Sequence, residues 1–238
     1  MTTSLVAVVT GASRGLGFAL AGALAEAGYA LVIDARDGPA LSSAAADLVS
    51  RTGASITAIP GDIADPAHRA DLAAAAAGLG GASLLVNNAG TLGASPLPAL
   101  ADYPPDELLA AFAVNVVSPV ALTQLLLPDL RQRGGAVLNV TSDAAVEAYA
   151  GWGGYGAAKA ALEQASNVLA AEESAIRVWW VDPGDIRTRM HQEAFPGEDI
   201  SDRPLPASVA PAFLRLIAER MPSGRYRAAD LRPAGVPA

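Results

Sequence analysis

Cysteine is absent from this 238-residue sequence, and basic side chains are few. Without cysteine the chain can form neither disulfide bonds nor thiolate metal sites, and no other metal site is predicted. The 16 lysines and arginines are outnumbered by 24 acidic residues, which gives a formal net charge of −8. Such a charge argues against nucleic acids and anionic membranes as partners.

The sequence also has no internal repeat, and no Gly/Ser-rich or Pro-rich linker interrupts its first 190 residues. Together with a hydrophobic content of 52%, this predicts a single domain over residues 1–238. The first apolar strand begins after four residues, so we expect no signal peptide. No apolar run is expected to be long enough to span a bilayer. These features predict a cytoplasmic protein.

The most informative pattern is a tyrosine followed four residues later by a lysine, Tyr155 and Lys159. The surrounding run GYGAAKAALEQASNVLAA predicts a helix, so both side chains would leave the same face. Because an ammonium favours the phenolate, Lys159 is expected to lower the pKa of Tyr155 from about 10 toward the range of proton transfer. Ser142 ends a strand-like run before them and could hold a carbonyl in line.

A glycine-rich turn lies near the start of the chain, between an apolar run at residues 5–9 and a helical pattern. Its sequence, TGASRGLG, has the strand–turn–helix context of a dinucleotide site. Gly11 would permit the tight turn, Gly15 would let a pyrophosphate approach the backbone, and Gly17 would let the helix pack close to the strand. The phosphates would then face free amides at a helix N-terminus.

Strand and helix patterns alternate along the chain, which predicts an α/β fold. We expect a Rossmann-type, doubly wound parallel sheet of about seven strands with helices on both faces. The predicted strands lie near residues 5–9, 30–34, 55–60, 83–87, 135–141, 176–181 and 224–228. The predicted helices lie near residues 15–27, 39–51, 66–78, 104–132, 153–172 and 207–220. Ligands of such folds bind beyond the carboxyl ends of the strands.

Further motifs follow the predicted strand ends. They are Gly61-Asp62-Ile63, Asn87-Asn88-Ala89-Gly90, and Asp182-Pro183-Gly184 with Thr188. A further candidate, Asn115, lies inside the long predicted helix. Together with the glycine-rich turn and with Ser142, Tyr155 and Lys159, they make the chain resemble the short-chain dehydrogenase/reductase family, in its short single-domain branch. The resemblance covers nearly the whole chain.

The resemblance implies hydride transfer between a nicotinamide and a carbonyl or secondary alcohol, as in a ketoreductase or alcohol dehydrogenase. Tyr155 would donate the proton during reduction, and Ser142 would orient the substrate oxygen and stabilise its developing charge. Lys159 would also bind the nicotinamide ribose. Asn115 would hold a water that links Lys159 to solvent, or would be a buried asparagine bonded to helix backbone. The alternative function is a catalytically silent dinucleotide-binding sensor or scaffold of the same fold.

Several cofactor contacts are implied by the same resemblance. Asp62 would accept from the adenine amino group, or would be a turn residue. Thr188 would reach the nicotinamide carboxamide, or would cap a helix. Asn88 is expected to tie strand ends together beside the cofactor. The other expected cofactor contacts are Ser13, Leu16, Ile63, Ala89, Gly90, Pro183, Gly184 and Ile186.

Two patterns conflict over the choice between NADP(H) and NAD(H). An acidic residue about 20 positions beyond the glycine-rich turn binds the ribose 2′-hydroxyl in NAD-binding folds, which points to Asp34. The family resemblance instead places the NAD-selecting acid at position 35, and that residue is Ala35. Arg36 follows, and Arg14 lies in the turn, where two guanidiniums would suit a 2′-phosphate. NADP(H) is therefore predicted over NAD(H), with Asp34 as the argument against.

The least family-like segment follows the sixth strand. Residues from approximately 185 to 211 are rich in proline and acid, and the resemblance makes them the lid over a small carbonyl or alcohol substrate. The chain ends about ten residues after its seventh predicted strand, where relatives commonly have a tail that builds a second subunit interface. We therefore expect a homodimer through the long helices rather than a tetramer.

Overall fold

Seven short strands, most of them aliphatic and β-branched, form one parallel sheet in the computed structural model, which describes residues 5–231. The strands are β1 (Val6–Val9), β2 (Ala30–Ala35), β3 (Ile56–Pro60), β4 (Leu84–Asn87), β5 (Ala136–Val140), β6 (Arg177–Asp182) and β7 (Gly224–Arg227). The strand order is β3-β2-β1-β4-β5-β6-β7, so the order reverses between β1 and β4. All residues of the central strands β1, β4 and β5 are buried, as expected for a parallel sheet covered on both faces.

Helices alternate with these strands, and their ends follow local sequence signals. Asp37 and Asp65 accept hydrogen bonds from the first turns of the two helices that follow β2 and β3, and a proline near each start has no amide to satisfy. The helices are α1 (Gly15–Glu26), α2 (Gly38–Thr52), α3 (Pro66–Gly78), α4 (Pro105–Phe112), α5 (Ser118–Arg133), α6 (Gly153–Glu172), α7 (Arg189–Ala194) and α8 (Pro206–Ala218).

Two hydrophobic layers lie on opposite faces of the sheet. Ala7 and Val9 of β1 belong to the layer formed with α1, α2 and α8. Val6 and Val8 belong to the layer formed with α3 and α5. Successive side chains of a strand point to opposite faces, so a strand covered on both sides must be apolar at every position. The predicted doubly wound α/β fold is confirmed.

The predicted helix over 104–132 is interrupted by a π-helical segment, Ala113–Val117, between α4 and α5. Pro119 has no amide, so it cannot donate the regular helical bond to the carbonyl of Asn115. The Ser118 amide donates to the Ala113 carbonyl five residues back, and the Ser118 hydroxyl donates to the same oxygen at 2.7 Å. Asn115 lies within this wider turn and is buried there.

The same helical stretch corrects the expectation about bilayer-spanning segments. Pro105–Arg133 is long and apolar enough to cross a membrane by length and composition, with a hydropathy of 1.8 in its most apolar window. Its acidic and basic residues lie near its two ends, which leaves an uncharged run between them. Only 33% of that window is buried inside the protein. Length and hydropathy alone do not separate a membrane span from a helix that packs against protein.

Candidate active site

One cleft of about 1950 Å³ lies at the carboxyl edge of the sheet. It exceeds the ~300–1000 Å³ of a pocket for one drug-sized ligand, so an extended dinucleotide and a second molecule could share it. Gly17 and Asn115 are buried beneath its wall and do not line it. The expected site residues that line it are Gly11, Ser13, Arg14, Gly15, Leu16, Arg36, Asp62, Ile63, Asn88, Ala89, Gly90, Ser142, Tyr155, Lys159, Pro183, Gly184, Ile186 and Thr188.

The glycine-rich turn owes its path to three positions without a side chain. Gly11 and Gly15 have φ values of +67° and +59°, in the left-handed region that favours glycine. A Cβ on Gly11 would lie 2.9 Å from the Cα of Ala89. A Cβ on Gly17 would collide with the Gly11 carbonyl oxygen, so glycine is what allows α1 to start directly beneath the turn.

The start of α1 has the features of an anion site. Arg14 precedes the helix and makes no side-chain capping bond, and the first turn contains no acidic residue. Free helix N-terminal amides and the positive end of the helix dipole both favour a phosphate. With the tight approach allowed at Gly15, the residues present fit a dinucleotide pyrophosphate.

Asn88 holds the turn against the end of β4, as expected for a residue that ties strand ends together. Its side-chain amide donates to the carbonyls of Thr10 at 2.9 Å and Gly11 at 3.2 Å. In return, the Thr10 hydroxyl accepts from the backbone amides of Asn88 and Ala89, at 3.0 Å each. These bonds lock the turn after β1 to the loop after β4.

Close packing places the start of α6 against the loop after β5. A Cβ on Gly156 would lie 2.6 Å from the Ala144 carbonyl oxygen, and one on Gly154 would collide with the ring of Tyr103. The helix can therefore approach Ser142 closely enough to bring Tyr155 beside it. Tyr155 is 8% exposed and Lys159 is 4% exposed.

The pKa of Tyr155 is raised, which corrects the expectation that Lys159 lowers it. Burial is the main cause, and the carboxylates of Asp182 and Asp143 add to it, while a hydrogen bond with Ser142 opposes it. The Lys159 ammonium lies 5.6 Å from the centre of the Tyr155 ring and donates to the Val140 carbonyl at 2.8 Å. A phenol in this setting is protonated at neutral pH, which is the form that can donate a proton.

Lys159 is itself strongly perturbed. Burial lowers its pKa to about 8, and the carboxylate of Glu163, one turn along α6, opposes that shift. Glu163 accepts from the Thr141 hydroxyl at 2.8 Å and from Arg225 of β7 at 3.0 Å. The lysine therefore changes charge within reach of physiological pH.

Asn115 is fully buried and fixes the loop after β4. Its side-chain oxygen accepts from the Thr91 amide at 3.1 Å, and its nitrogen donates to the Thr91 carbonyl at 2.8 Å. It is thus bonded to that loop, and not to helix backbone. A Cβ on Gly90 would lie 3.0 Å from the Asn115 oxygen and 3.8 Å from the Lys159 nitrogen, so both groups converge on Gly90.

Comparison with known proteins identifies the family of this chain. The family profile for short chain dehydrogenase matches residues 5–199. The chain is 36% identical to 1-deoxy-11-beta-hydroxypentalenate dehydrogenase of Streptomyces avermitilis, over 77% of this chain and 69% of that one. It is 35% identical to sepiapterin reductase of Bos taurus, over 79% and 74%.

A solved short chain dehydrogenase from Shigella flexneri, in complex with NADP, superposes with a TM-score of 0.89. It is 29% identical, and the match covers 94% of this chain and 97% of that one. The chain belongs to the short-chain dehydrogenase family. Because its relatives are dehydrogenases and reductases, it is an NAD(P)-dependent oxidoreductase.

In this short-chain dehydrogenase Asp34 borders the cleft, and both oxygens of its carboxylate contact groups of the protein. Its carboxylate is 2% exposed. One oxygen accepts from the Gly11 amide at 2.7 Å, and the other lies 3.0 Å from the Nε2 of buried His68. Asp34 therefore braces the glycine-rich turn from inside. His68 lies 34 residues away in the chain, and no sequence signal marked it.

The two arginines lie differently. Arg14 and Arg36 are exposed at the cleft, and neither has an ion-pair partner within residues 5–231.

Asp62 and Thr188 make the local hydrogen bonds that the sequence offered as alternatives to cofactor contacts. Asp62 accepts from the Ala64 amide at 2.9 Å in a turn, and Thr188 caps α7 by accepting from the His191 amide at 3.1 Å. Both still line the cleft.

An aromatic wall beside Tyr155 completes the site. The ring of Trp152 lies 5.7 Å from those of both Tyr155 and Phe195, and 6.4 Å from that of Tyr149.

Asp143 was not predicted from the sequence, although its place directly after Ser142 could have drawn attention to it. Tyr149 and Phe195 carried no comparable signal, because they reach the site only through folding.

Proposed function

We propose that this short-chain dehydrogenase is an NADP(H)-dependent ketoreductase or alcohol dehydrogenase, with Tyr155 as the general acid and base. One observation carries the proposal: the buried Tyr155 phenol lies with Ser142 and Lys159 in the cleft that also contains the glycine-rich turn. A purely nucleotide-sensing protein would have no use for such a proton donor.

In this proposal the cofactor and the side chains of the site have separate roles in the reaction. A nicotinamide bound in this cleft would supply the hydride to the carbonyl carbon, or accept it from the alcohol. Ser142 orients the carbonyl oxygen, and Tyr155 gives that oxygen its phenolic proton, so a ketone, a hydride and a proton become an alcohol. The Lys159 ammonium stabilises the phenolate that remains. In the oxidising direction Tyr155 takes the proton back. Asn115, through Thr91, holds the loop that borders these groups.

The preference for NADP(H) is also part of the proposal. Arg14 and Arg36 would bind the 2′-phosphate, since they are exposed at the cleft with no competing ion pair within the described residues. Asp34 would not repel that phosphate, because its carboxylate is turned inward to Gly11 and His68. The Shigella flexneri relative was solved with NADP, which agrees with this choice.

We further propose that residues 185–211 act as the substrate lid of a single domain spanning the chain. Within this segment, α7 brings Met190 and Ala194 against the cluster of Leu92, Ala144 and Tyr155. The ring of Phe195 follows and contacts Trp152. The lid would thus add apolar walls to the side of the cleft where the substrate carbonyl must lie.

A homodimer through α4 and α5 is proposed for the same molecule. Large apolar side chains are exposed along these helices and the π-helical segment between them, where a second copy of the chain could cover them. They are Leu109, Val117, Val120 and Leu125. Sedimentation velocity should give a dimer, and Leu125→Glu with Leu109→Glu should shift it toward the monomer. A wild-type monomer at micromolar concentration would contradict this interface.

Replacement of Tyr155 by phenylalanine tests the function. The ring packing is kept and only the hydroxyl is lost, so NADPH should still bind while carbonyl reduction falls by about 10²–10⁴-fold. Tyr226→Phe is the matched control, because the Tyr226 hydroxyl bonds to Pro222, away from the cleft. Aldehydes and ketones are offered with NADPH, and the absorbance of the reduced nicotinamide is followed.

Two outcomes would contradict the proposal. Near wild-type reduction by Tyr155→Phe would remove the tyrosine from the chemistry. Tight NADPH binding by the wild type, with no turnover of any aldehyde, ketone or alcohol, would favour the silent sensor.

A further inference from the structure

Asp143 places a carboxylate directly beside the substrate-orienting hydroxyl. Its Oδ1 accepts from the Ser142 hydroxyl at 2.9 Å and from the Ala144 amide at 2.8 Å. Its Oδ2 accepts from the Tyr149 hydroxyl at 2.9 Å. Asp143 is half-buried and lines the cleft. A carboxylate has about four acceptor positions, so one remains open at Oδ2.

This arrangement occupies the only proton of Ser142. A serine hydroxyl donates one hydrogen bond, and here that bond goes to Asp143. The developing alkoxide of a carbonyl reduction needs that donor for itself. A substrate group that donates to Asp143 in place of Ser142 would free the serine proton for the carbonyl oxygen.

The position of such a group follows from the distances. A carbonyl oxygen held by Ser142 lies one hydrogen-bond length, about 2.5–3.0 Å, from the serine oxygen. Asp143 Oδ1 lies 2.9 Å from the same serine oxygen. A donor on the carbon adjacent to the carbonyl is therefore within reach of the carboxylate when its bond eclipses the carbonyl.

We propose that Asp143 selects ketones that carry a hydrogen-bond donor, a hydroxyl or an ammonium, on the carbon next to the carbonyl. The inference rests on the proposed carbonyl reduction. The wall formed by Trp152 and Phe195 suits an aromatic or otherwise apolar group on the other side of the carbonyl.

The test compares acetophenone with its α-hydroxy, α-amino and α-methoxy derivatives, which carry the substituent on the carbon next to the carbonyl. Each ketone is reduced with NADPH. The methoxy compound is the matched control, because it keeps the same oxygen and a similar electron withdrawal, with a methyl group in place of the donor proton. The wild type should give the hydroxy and amino ketones a kcat/KM about tenfold or more above the methoxy ketone, since bonds to a charged acceptor are strong. Part of the gain should appear in kcat, because the donor frees the Ser142 proton.

Asp143→Ala should abolish the advantage of the donors and raise kcat for acetophenone, since Ser142 no longer donates to a carboxylate. Glu147→Gln removes an exposed carboxylate from the same loop and should leave the ranking unchanged. Thermal melting and NADPH binding establish that each variant is folded. If Asp143→Ala does not fold, the wild-type comparison of hydroxy with methoxy ketone still decides.

Failure of the selection by Asp143 can be distinguished from failure of the proposed function. Equal kcat/KM for the hydroxy and methoxy ketones, or an undiminished donor advantage in Asp143→Ala, would overturn the selection by Asp143 while reduction itself supports the proposed function. If no ketone is reduced, quenching of tryptophan fluorescence measures their binding. Tighter binding of the donors that is lost in Asp143→Ala would support the selection and overturn the function. Equal binding would overturn both.

Discussion

Replacement of Asp34 by alanine separates two roles for this carboxylate. If Asp34 bound the ribose 2′-hydroxyl and repelled a phosphate, Asp34→Ala would improve NADPH binding relative to NADH and leave the fold intact. The geometry predicts the reverse. Asp34 is 2% exposed, and its two oxygens bond to the Gly11 amide and to His68, which is 6% exposed. Its loss should therefore act on stability.

The magnitude follows from the two groups left without a partner. A buried polar group that loses its hydrogen bond costs about 1–3 kcal/mol, so the Gly11 amide and the His68 ring together cost about 2–6 kcal/mol. In a chain of this size each kcal/mol lowers the melting temperature by about 2–4 °C. Asp34→Ala should thus melt roughly 4–24 °C below the wild type. Binding of both nucleotides should weaken together, because Gly11 begins the phosphate-binding turn.

Melting temperature and the ratio of NADPH to NADH affinity are measured on the same samples. Asp65→Ala is the control, since Asp65 is an exposed aspartate that caps α3 and does not itself line the cleft. Loss of such a cap costs about 0.5–2 kcal/mol and should leave both affinities unchanged. A wild-type melting temperature in Asp34→Ala, with a gain in NADPH over NADH, would refute the reasoning.

Two further predictions concern the cofactor and pH. The double variant Arg14→Ala, Arg36→Ala should weaken NADPH at least tenfold relative to NADH in titrations, since charge-assisted bonds are worth about 1.5–3 kcal/mol each; tighter NADH binding by the wild type would contradict it. Because burial lowers the pKa of Lys159 to about 8, its charge is present below that pH and lost above it, so kcat/KM for reduction should fall on the alkaline side. Glu163→Gln removes the negative charge that raises the pKa of Lys159, so the fall in kcat/KM should move to lower pH. Glu172→Gln, at the exposed end of α6, should leave the pH of the fall unchanged. A fall at the same pH in Glu163→Gln would show that Glu163 does not have this role.

The local elements of this protein could be predicted because their signals are local. The alternation of strand and helix patterns defines a doubly wound sheet, since a strand buried on both faces must be apolar at every position. Gly11 and Gly17 could likewise be interpreted, because a turn between a strand and a helix allows no side chain there. The spacing of Tyr155 and Lys159 places both on one face of α6 wherever the helix lies.

Tertiary structure decided the features that depend on residues distant in the chain. The hydrogen bonds of Asp34 to the Gly11 amide and to His68 could not be predicted from local pattern, because only the fold brings these three groups together. The pKa of Tyr155 rises because burial and the carboxylates of Asp182 and Asp143 outweigh the lowering effect of the Ser142 hydroxyl. Periodicity and spacing describe the chain's neighbours along the sequence, whereas burial and electrostatic interactions depend on neighbours in space, so the amino-acid pattern located the site but could not determine the protonation and orientation of its side chains.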